Sequence, residues 1–475
     1  MESILDYLYS GAKRNPERCI FNFLDCNKEP FDMQPISARQ LYDKSRDIAA
    51  TLKRKGAKKG DRAIIFSMQD AGTIYAIFGC MMEGGVFTVI PPPIDNAKLS
   101  RFISALNSCK PKFLISNYAL EQESKKDIIK SLIKKALLRV ITLKRIYTDK
   151  ITRHEEYTPL NVYHKNELVY LQYTSGSTSE PKGVMVTHEN LMSCLNDCKN
   201  VFDFTHDYNL ASWVPFYHNI GLIVTIFIPL LAETGTAYFI PTLQFLQKPT
   251  IWIKSLSDFK INATVAPNSA YDVCTKLISK EEAKQYDLSH VTLLINGSEF
   301  IYSHTIEKFC NLFNIPQKTF AAGYGLSECV CVATLSLLSY KCQKIDVDQY
   351  LAGKFILTEN KKHKLVVSLG KPLNNLKILT VKEDGSICAE NEIGEIYIQG
   401  ASVCQGYWKN PVETKRFNAT INGVDGLFYR TGDMGLIFDG ELYLTGRLTE
   451  MIIVNGKNIF SNDVALLIHQ HCPLL

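Results

Sequence analysis

Ala63–Ser67, Gly72–Glu83 and Val86–Ile90 constrain this chain more than any other stretch. The outer two are short runs of β-branched and apolar residues. The middle one is a helix-length run of small and apolar residues, closed by Gly84-Gly85. A strand, a helix and a strand in that order are the repeating unit of a parallel sheet. The pattern continues on both sides. Ala38–Lys55 reads as a helix stopped by Gly56, with Leu41, Ser45, Ile48 and Leu52 on one face. Leu99–Ser108 reads as a helix and Lys112–Ile115 as a strand.

A second run of the same kind follows. Glu189–Val201, Ile251–Lys260, Ser269–Leu277 and Ser303–Phe313 read as helices, and Ala263–Val265 and Val291–Ile295 as strands. From Val366 the texture changes to short strands between glycine turns: Leu376–Val381, Gly394–Gln399, Leu427–Arg430, Gly435–Phe438 and Glu441–Thr445. The expected fold is α/β, with two doubly wound sheet subdomains and a small antiparallel or barrel-like β subdomain.

Length and composition exclude several classes. A chain of 475 residues suggests about three units, and it buries enough surface to need no staples. A net charge of +5 gives no case for nucleic acid. The fourteen cysteines form no CxxC pair. Cys194 and Cys198 sit i, i+4 without a histidine at ligand spacing, so reduced, mostly buried thiols in a cytoplasmic protein are expected. The acidic, amphipathic start MESILDYLYSG is not a signal peptide. Ile220–Ala232 is too short to span a membrane, carries Pro229, and reads as a core helix. Lys125–Arg153 holds ten Lys/Arg against two Asp. It reads as a basic amphipathic helix plus a strand, either a solvated face or one that meets an anionic surface.

Chemistry concentrates in Leu171–His188, LQYTSGSTSEPKGVMVTH. A buried strand leads into Thr174, Ser175, Gly176, Ser177, Thr178 and Ser179, then Pro181, Lys182 and Gly183. Small residues let the backbone approach an anion, hydroxyls and free N–H groups can wrap phosphate oxygens, and Lys182 adds a point charge. The same run also suits a Ser/Gly hairpin with a surface lysine. It is neither a Walker loop nor a dinucleotide fingerprint. Downstream, Gly323-Tyr324-Gly325-Leu326-Ser327-Glu328 stands at a strand end, where open α/β sheets bind ligands. A carboxylate there can hold Mg²⁺ on a nucleotide. Thr431-Gly432-Asp433 is followed fourteen positions later by Arg447. That pair suits ribose hydroxyls, and each half also suits a plain β-turn. Phe216, Tyr217 and His218 fit either a pocket mouth or a packed core.

YTSGSTSEPKG, GYGLSE, YRTGD and GELYLTGR with MIIVNGKNIF, in this order, resemble the adenylate-forming superfamily of acyl-CoA synthetases, luciferases and peptide-synthetase adenylation domains. The phrases LQYTSGST, SWVPFYHNIGLI, APNSAYDVC, NGSEFI, VSLGKP and GEIYIQGASVCQGYW are similar to the fatty acyl-AMP ligase branch. So is Ser336–Lys364, at the place of an insertion thought to hinder thioester formation with CoA. The resemblance implies that ATP and a fatty acid give an acyl-adenylate and pyrophosphate, with transfer to an acyl carrier protein in lipid or polyketide biosynthesis. Thr174–Thr178 and Lys182 would cradle the β- and γ-phosphates. Tyr324 and Gly325 would lie near adenine, and the turn Asn296-Gly297-Ser298-Glu299 would border the base and acyl pocket. Ser327 would touch the α-phosphate, Glu328 would hold Mg²⁺, and Asp433 with Arg447 would bind the ribose. His218, Ile220 and Gly221, with the helix to Leu231, would shape the acyl tunnel.

Ser179 stands where glycine is commonest in the phosphate loop, Asn219 where the branch has Asp, and Thr449 where the inter-domain hinge has Asp or Lys. The resemblance divides the chain into an adenylation domain, 1–448, and a hinge with the start of a C-terminal domain, 449–475. The family's lysine in that last domain has no counterpart before Leu475. Loss of one charge-stabilising donor costs about 10²–10³ in rate, so weak adenylation is expected of the chain as given. The alternatives are a long-chain acyl-CoA synthetase and a catalytically impaired nucleotide- or acyl-binding protein.

Overall fold

The computed structural model describes every residue except 1, 94, 120–141, 152–156, 160–162, 174–180, 203–207, 232–234, 338, 455–456 and 472–475. The chain divides into two compact units. The first comprises Met1–Lys199, Asp203–Trp252 and Cys404–Glu413, and the second Asn200–Phe202, Ile253–Val403 and Thr414–Leu475.

In the first unit, β1 (Cys19–Asp25) and β2 (Asp32–Ser37) pair antiparallel. β3 (Arg62–Phe66), β4 (Val86–Ile90), β5 (Phe113–Ser116), β6 (Lys144–Tyr147), β7 (Leu168–Tyr173) and β8 (Gly183–Thr187) form a sheet in the order β6-β5-β3-β4-β7-β8. Its neighbours run parallel except β7 and β8. Every residue of β4 and β5 is buried, Thr88 and Ser116 included, as in a sheet covered on both faces. β9 (Leu210–Ser212) and β10 (Ala237–Phe239) continue from β1 as parallel strands.

Helices α1 (Ile4–Arg14), α2 (Ala38–Arg54), α3 (Ala71–Met82) and α4 (Asn96–Cys109) precede or link these strands. The last three begin at side-chain caps. Ser37 accepts from the Gln40 N–H, Asp70 from Thr73 and Asp95 from Lys98, at 3.2, 2.8 and 2.8 Å. The expected strand–helix–strand unit is thus β3–α3–β4. Ile220–Phe227 departs from the expected α-helix: it is wound as a π-helix, and α-geometry begins only at Ile228–Leu231. Gly221 through Leu231 are buried, so the core reading of this stretch holds.

The second unit repeats the parallel theme. β11 (Ala263–Ala266), β12 (Leu293–Asn296) and β13 (Phe320–Tyr324) are parallel, and β14 (Thr334–Leu335) and β17 (Lys371–Pro372) continue antiparallel. Between them β15 (Cys342–Asp346) and β16 (His363–Val367) form a hairpin. β18 (Leu376–Val381), β19 (Gly394–Gly400), β20 (Ala419–Ile421), β21 (Val424–Phe438) and β22 (Glu441–Arg447) make the antiparallel sheet expected of the β-rich part. The two strands expected at Leu427–Arg430 and Gly435–Phe438 are one strand, β21, whose register shifts opposite Glu395/Tyr397 and again at Met434/Gly435. These irregularities bend the strand where the sequence suggested a turn. β23 (Met451–Val454) and β24 (Lys457–Phe460) close the chain as a hairpin before the helix Ser461–His471. Ile345, Tyr350, Phe355, Val366, Leu436, Tyr443 and Phe460 form one buried cluster in this unit.

The described cysteines are free thiols and most are buried, as expected. Most of the basic segment Lys125–Arg153 lies outside the described residues. Among the described residues no helix is long and apolar enough to cross a membrane.

Candidate active site

In the second unit the ladder between β21 and β22 places Asp433 opposite Arg447. Arg447 Nε lies 3.1 Å from Asp433 Oδ1. Tyr324, at the end of β13, donates its hydroxyl to Asp433 Oδ2 at 2.7 Å. Asp433 is buried, while the Arg447 side chain is half exposed. Burial pushes the Asp433 carboxyl above its ordinary pKa, against the pull of Arg447 and Tyr324. Each carboxylate oxygen keeps a second lone pair, so the group can still accept from a vicinal diol.

Thr431-Gly432-Asp433 is a kink inside a strand, not a turn. Gly432 has φ +79°, and its N–H reaches Glu395 Oε1 at 3.1 Å. Arg430 holds the buried Glu395 carboxylate through Nε at 2.9 and 2.7 Å. Thr431 Oγ1 donates to the Ile396 carbonyl and accepts the Asp433 N–H at 3.0 Å. Arg416 donates to the carbonyl oxygens of Arg430 and Thr431. Asp433 is therefore aimed by Glu395, Arg430 and Arg416, three residues that sequence reasoning missed.

The Gly323–Glu328 motif does leave the end of a strand. Ser327 and Glu328 sit half-buried on the 3-10 turn Ser327–Cys329. Val330 follows at φ +69°, ψ −62°, and the Cys331 N–H returns to the Cys329 carbonyl at 2.8 Å, a tight γ-turn. A Cβ on Gly325 would lie 1.8 Å from the Cys331 carbonyl oxygen. Asn296 is fully buried at the end of β12 and donates to Asn268 Oδ1 at 3.3 Å. Gly297 is buried beside it. Glu299, on the same turn, is exposed, and its Oε1 accepts from the Ser269 N–H at the start of the helix Asn268–Leu277. A carboxylate there complements the helix dipole, which is a structural use for a residue expected at the base pocket.

In the first unit, β7 and β8 pair antiparallel from Leu168↔Thr187 to Tyr173↔Gly183. Between them, residues 174–180, Thr174, Ser175, Gly176, Ser177 and Thr178 included, lie outside the described residues. Lys182 is described: its Nζ donates to Glu413 Oε2 at 2.6 Å. His218 is exposed rather than packed in the core, and its Nδ1 accepts from the Ile220 N–H at 3.3 Å. Desolvation first, and then the positive charge of Arg101, lower the pKa of the imidazole from its usual value. Gly221 lies against the Pro215 carbonyl, where a Cβ would come within 2.1 Å of the oxygen. Ile220 opens the π-helix, a form found often at functional sites.

A model of the family described as AMP-binding enzyme matches residues 9–408. The chain belongs to this family. Among AMP-binding enzymes it is 29% identical to the medium-chain-fatty-acid–[acyl-carrier-protein] ligase JamA of Moorena producens, over 100% of this chain and 81% of that protein. It is 27% identical to the 4-hydroxyphenylalkanoate adenylyltransferase of Mycobacterium marinum, over 97% of this chain and 76% of that one. A solved fatty acyl-adenylate ligase from L. pneumophila, in complex with acyl adenylate and pyrophosphate, superposes with a TM-score of 0.85. It is 30% identical, and the match covers 94% of this chain and 77% of that one. The fold class and the family resemblance expected from sequence are thereby borne out. The Lys182–Glu413 contact was also unanticipated: no local pattern ties Glu413 to a lysine 231 positions earlier.

Proposed function

We propose that this AMP-binding enzyme activates a fatty acid with ATP, forming an acyl-adenylate and pyrophosphate for transfer to an acyl carrier protein. What supports this most is near-full-length similarity to two ligases whose names specify fatty acyl substrates, one of them solved with acyl adenylate and pyrophosphate. A carboxylate oxygen of the fatty acid attacks the α-phosphorus of ATP, the bond to the β-phosphate's bridging oxygen breaks, and pyrophosphate leaves. Such a step needs positioning and charge neutralisation rather than a covalent nucleophile.

In this reading Asp433 accepts from the ribose hydroxyls while Arg447 and Tyr324 hold its carboxylate. Lys182, with Thr174, Ser175, Gly176, Ser177 and Thr178, binds the β- and γ-phosphates, and Ser327 contacts the α-phosphate. Tyr324, Gly325 and the Asn296–Glu299 turn border the base, and His218, Ile220 and Gly221 border the acyl chain. Glu328 would hold Mg²⁺, which would supply neutralisation of phosphate charge. The fit is chemical: among the described residues no three ligating side chains cluster, and Mg²⁺ on a nucleotide takes one or two carboxylates plus phosphates. A cytoplasmic location accords with this substrate set.

The test is acid-dependent pyrophosphate exchange with a panel of medium- and long-chain fatty acids and 4-hydroxyphenylalkanoates. Acyl-AMP is detected by mass spectrometry, and transfer is offered to holo-acyl carrier protein and to CoA. Exchange with fatty acids and transfer to carrier protein is the expected result. Robust acyl-CoA formation would move the protein to the synthetases. Tight binding of an acyl-sulfamoyl adenosine without any turnover would make it a binding protein.

A further inference from the structure

We propose that Glu413 is a positioning residue that holds the Lys182 ammonium ready for the triphosphate; the proposal rests on the reading of Lys182 as a phosphate ligand. The Lys182–Glu413 ion pair closes at 2.6 Å with side chains only 22% and 32% exposed. The Tyr407 ring lies 5.6 Å from the same ammonium and adds a second attraction.

The backbone explains why Glu413 arrives there. Tyr407 forms an antiparallel bridge with Val184. The Trp408 N–H donates to the Gly183 carbonyl at 2.7 Å, and the Met185 N–H to the Gly406 carbonyl at 3.0 Å. The Trp408 indole N–H reaches the Ser108 carbonyl at 3.1 Å. Asn410 Oδ1 then accepts the Glu413 N–H at 3.2 Å, starting the short helix Pro411–Thr414 with proline in its first position. The carboxylate is thus registered on the residue next to Lys182. Lys182 and Glu413, with Ser104, Asn107, Pro181 and Trp408, face a cavity of about 860 Å³.

An ammonium has three N–H donors, and Glu413 engages one, leaving two for phosphate oxygens. A free lysine stem loses its rotamer freedom when it grips phosphate, whereas a tethered one has already lost it. Glu413 does not touch the substrate in this scheme; it acts through Lys182.

The experiment compares wild type, Glu413→Ala, Glu413→Gln, Lys182→Met and the double variant Lys182→Met/Glu413→Ala. It reads the KM for ATP, the kcat of exchange, inhibition by pyrophosphate, and binding of AMP. Glu413→Ala is expected to raise the ATP KM and the pyrophosphate inhibition constant about tenfold, the scale of one immobilised side chain. AMP binding and kcat should change far less, and the isosteric Glu413→Gln should fall between. In the Lys182→Met background the Glu413→Ala effect should vanish. Unchanged or tighter ATP binding in Glu413→Ala and Glu413→Gln overturns the proposal, as does an equal loss in the Lys182→Met background. If Glu413→Ala does not fold, Glu413→Gln in the two Lys182 backgrounds decides. Lys182→Met that leaves ATP and pyrophosphate binding intact overturns the phosphate reading itself, and this proposal with it.

Discussion

The Tyr324 hydroxyl lies 2.7 Å from Asp433 Oδ2 although 109 positions separate the two residues. With Arg447 on the other oxygen, the carboxylate is oriented before any ligand arrives. Asp433→Asn keeps the shape but removes the charge that makes hydroxyl acceptance strong. Hydrogen bonds to charged groups contribute about 1.5–3 kcal/mol, so the KM for ATP should rise roughly 10- to 100-fold, measured in pyrophosphate exchange. Burial raises the Asp433 pKa, so in wild type nucleotide affinity should fall on acidification at a higher pH than a surface aspartate would produce. The asparagine variant should lose that dependence. An unchanged ATP KM in Asp433→Asn would remove Asp433 from the nucleotide site.

How much of this was legible in the sequence differs by element. Val86–Ile90 was readable to the residue because Gly84-Gly85 and three prolines bracket a strand of β-branched and aromatic residues. Ser303–Phe313 was readable because its buried residues Ile306, Phe309, Cys310 and Phe313 recur at helical spacing. The continuity of β21 was not, since Gly432 looks like a turn residue and only its ladder partners show a bulge. The π-winding of Ile220–Phe227 was hidden for the opposite reason: a run in which only Gly221 and Thr225 interrupt large apolar residues carries no helical periodicity. For the candidate site, motif order pointed to Asp433, Arg447 and Tyr324, and the structure brings these three side chains together. Their supports, and Glu413 above all, depend on contacts between distant strands that no local pattern encodes.

His188 carries a pH prediction of its own. It is 6% exposed, its ring lies 4.9 Å from Tyr163, and its Nδ1 has no hydrogen-bond partner among the described residues. Burial lowers its pKa from 6.5 to about 4, with Glu167 pulling up and Lys59 down. Between those two values the unfolded chain takes up a proton and the folded chain does not. The neutral imidazole's contribution is therefore complete above pH 6.5 and lost as pH falls toward 4. At 1.36 kcal/mol per unit the difference is about 3 kcal/mol. His188→Phe keeps the ring contact and cannot titrate. Urea unfolding at pH 7 and pH 4.5 should show the variant losing about 2 kcal/mol less than wild type. Equal losses would mean that His188 is protonated in the fold.

Gly325 separates packing from ligand binding. Its would-be Cβ meets the Cys331 carbonyl oxygen at 1.8 Å and Val332 Cα at 2.9 Å, and backbone atoms yield less than side chains do. Overpacking of this kind costs about 1–3 kcal/mol or more. Gly325→Ala should accordingly lower the unfolding temperature in the absence of nucleotide. A variant with wild-type stability and weakened ATP binding would restore Gly325 to a purely ligand-facing role.

Lys364, at the end of the segment Ser336–Lys364, forms an ion pair with Asp463 on the helix beyond Thr449. The side chains are only 12% and 17% exposed. The ammonium sits 3.8 Å from the Tyr350 ring centroid, and the Tyr350 hydroxyl donates to Asp463 Oδ2 at 3.2 Å. Burial pulls the Lys364 pKa below its usual value, with Asp463 opposing it. A pair this dry is asymmetric to mutation. Lys364→Met leaves a buried carboxylate with only a tyrosine donor, and should destabilise the chain by about 3–5 kcal/mol in urea unfolding. Removing both charges, in Lys364→Met/Asp463→Leu, eliminates the stranded ion and adds apolar surface beside the Tyr350 ring. That double variant should recover most of the loss. If it is as unstable as the single variant, the contribution of the pair is its geometry, and the charge argument fails.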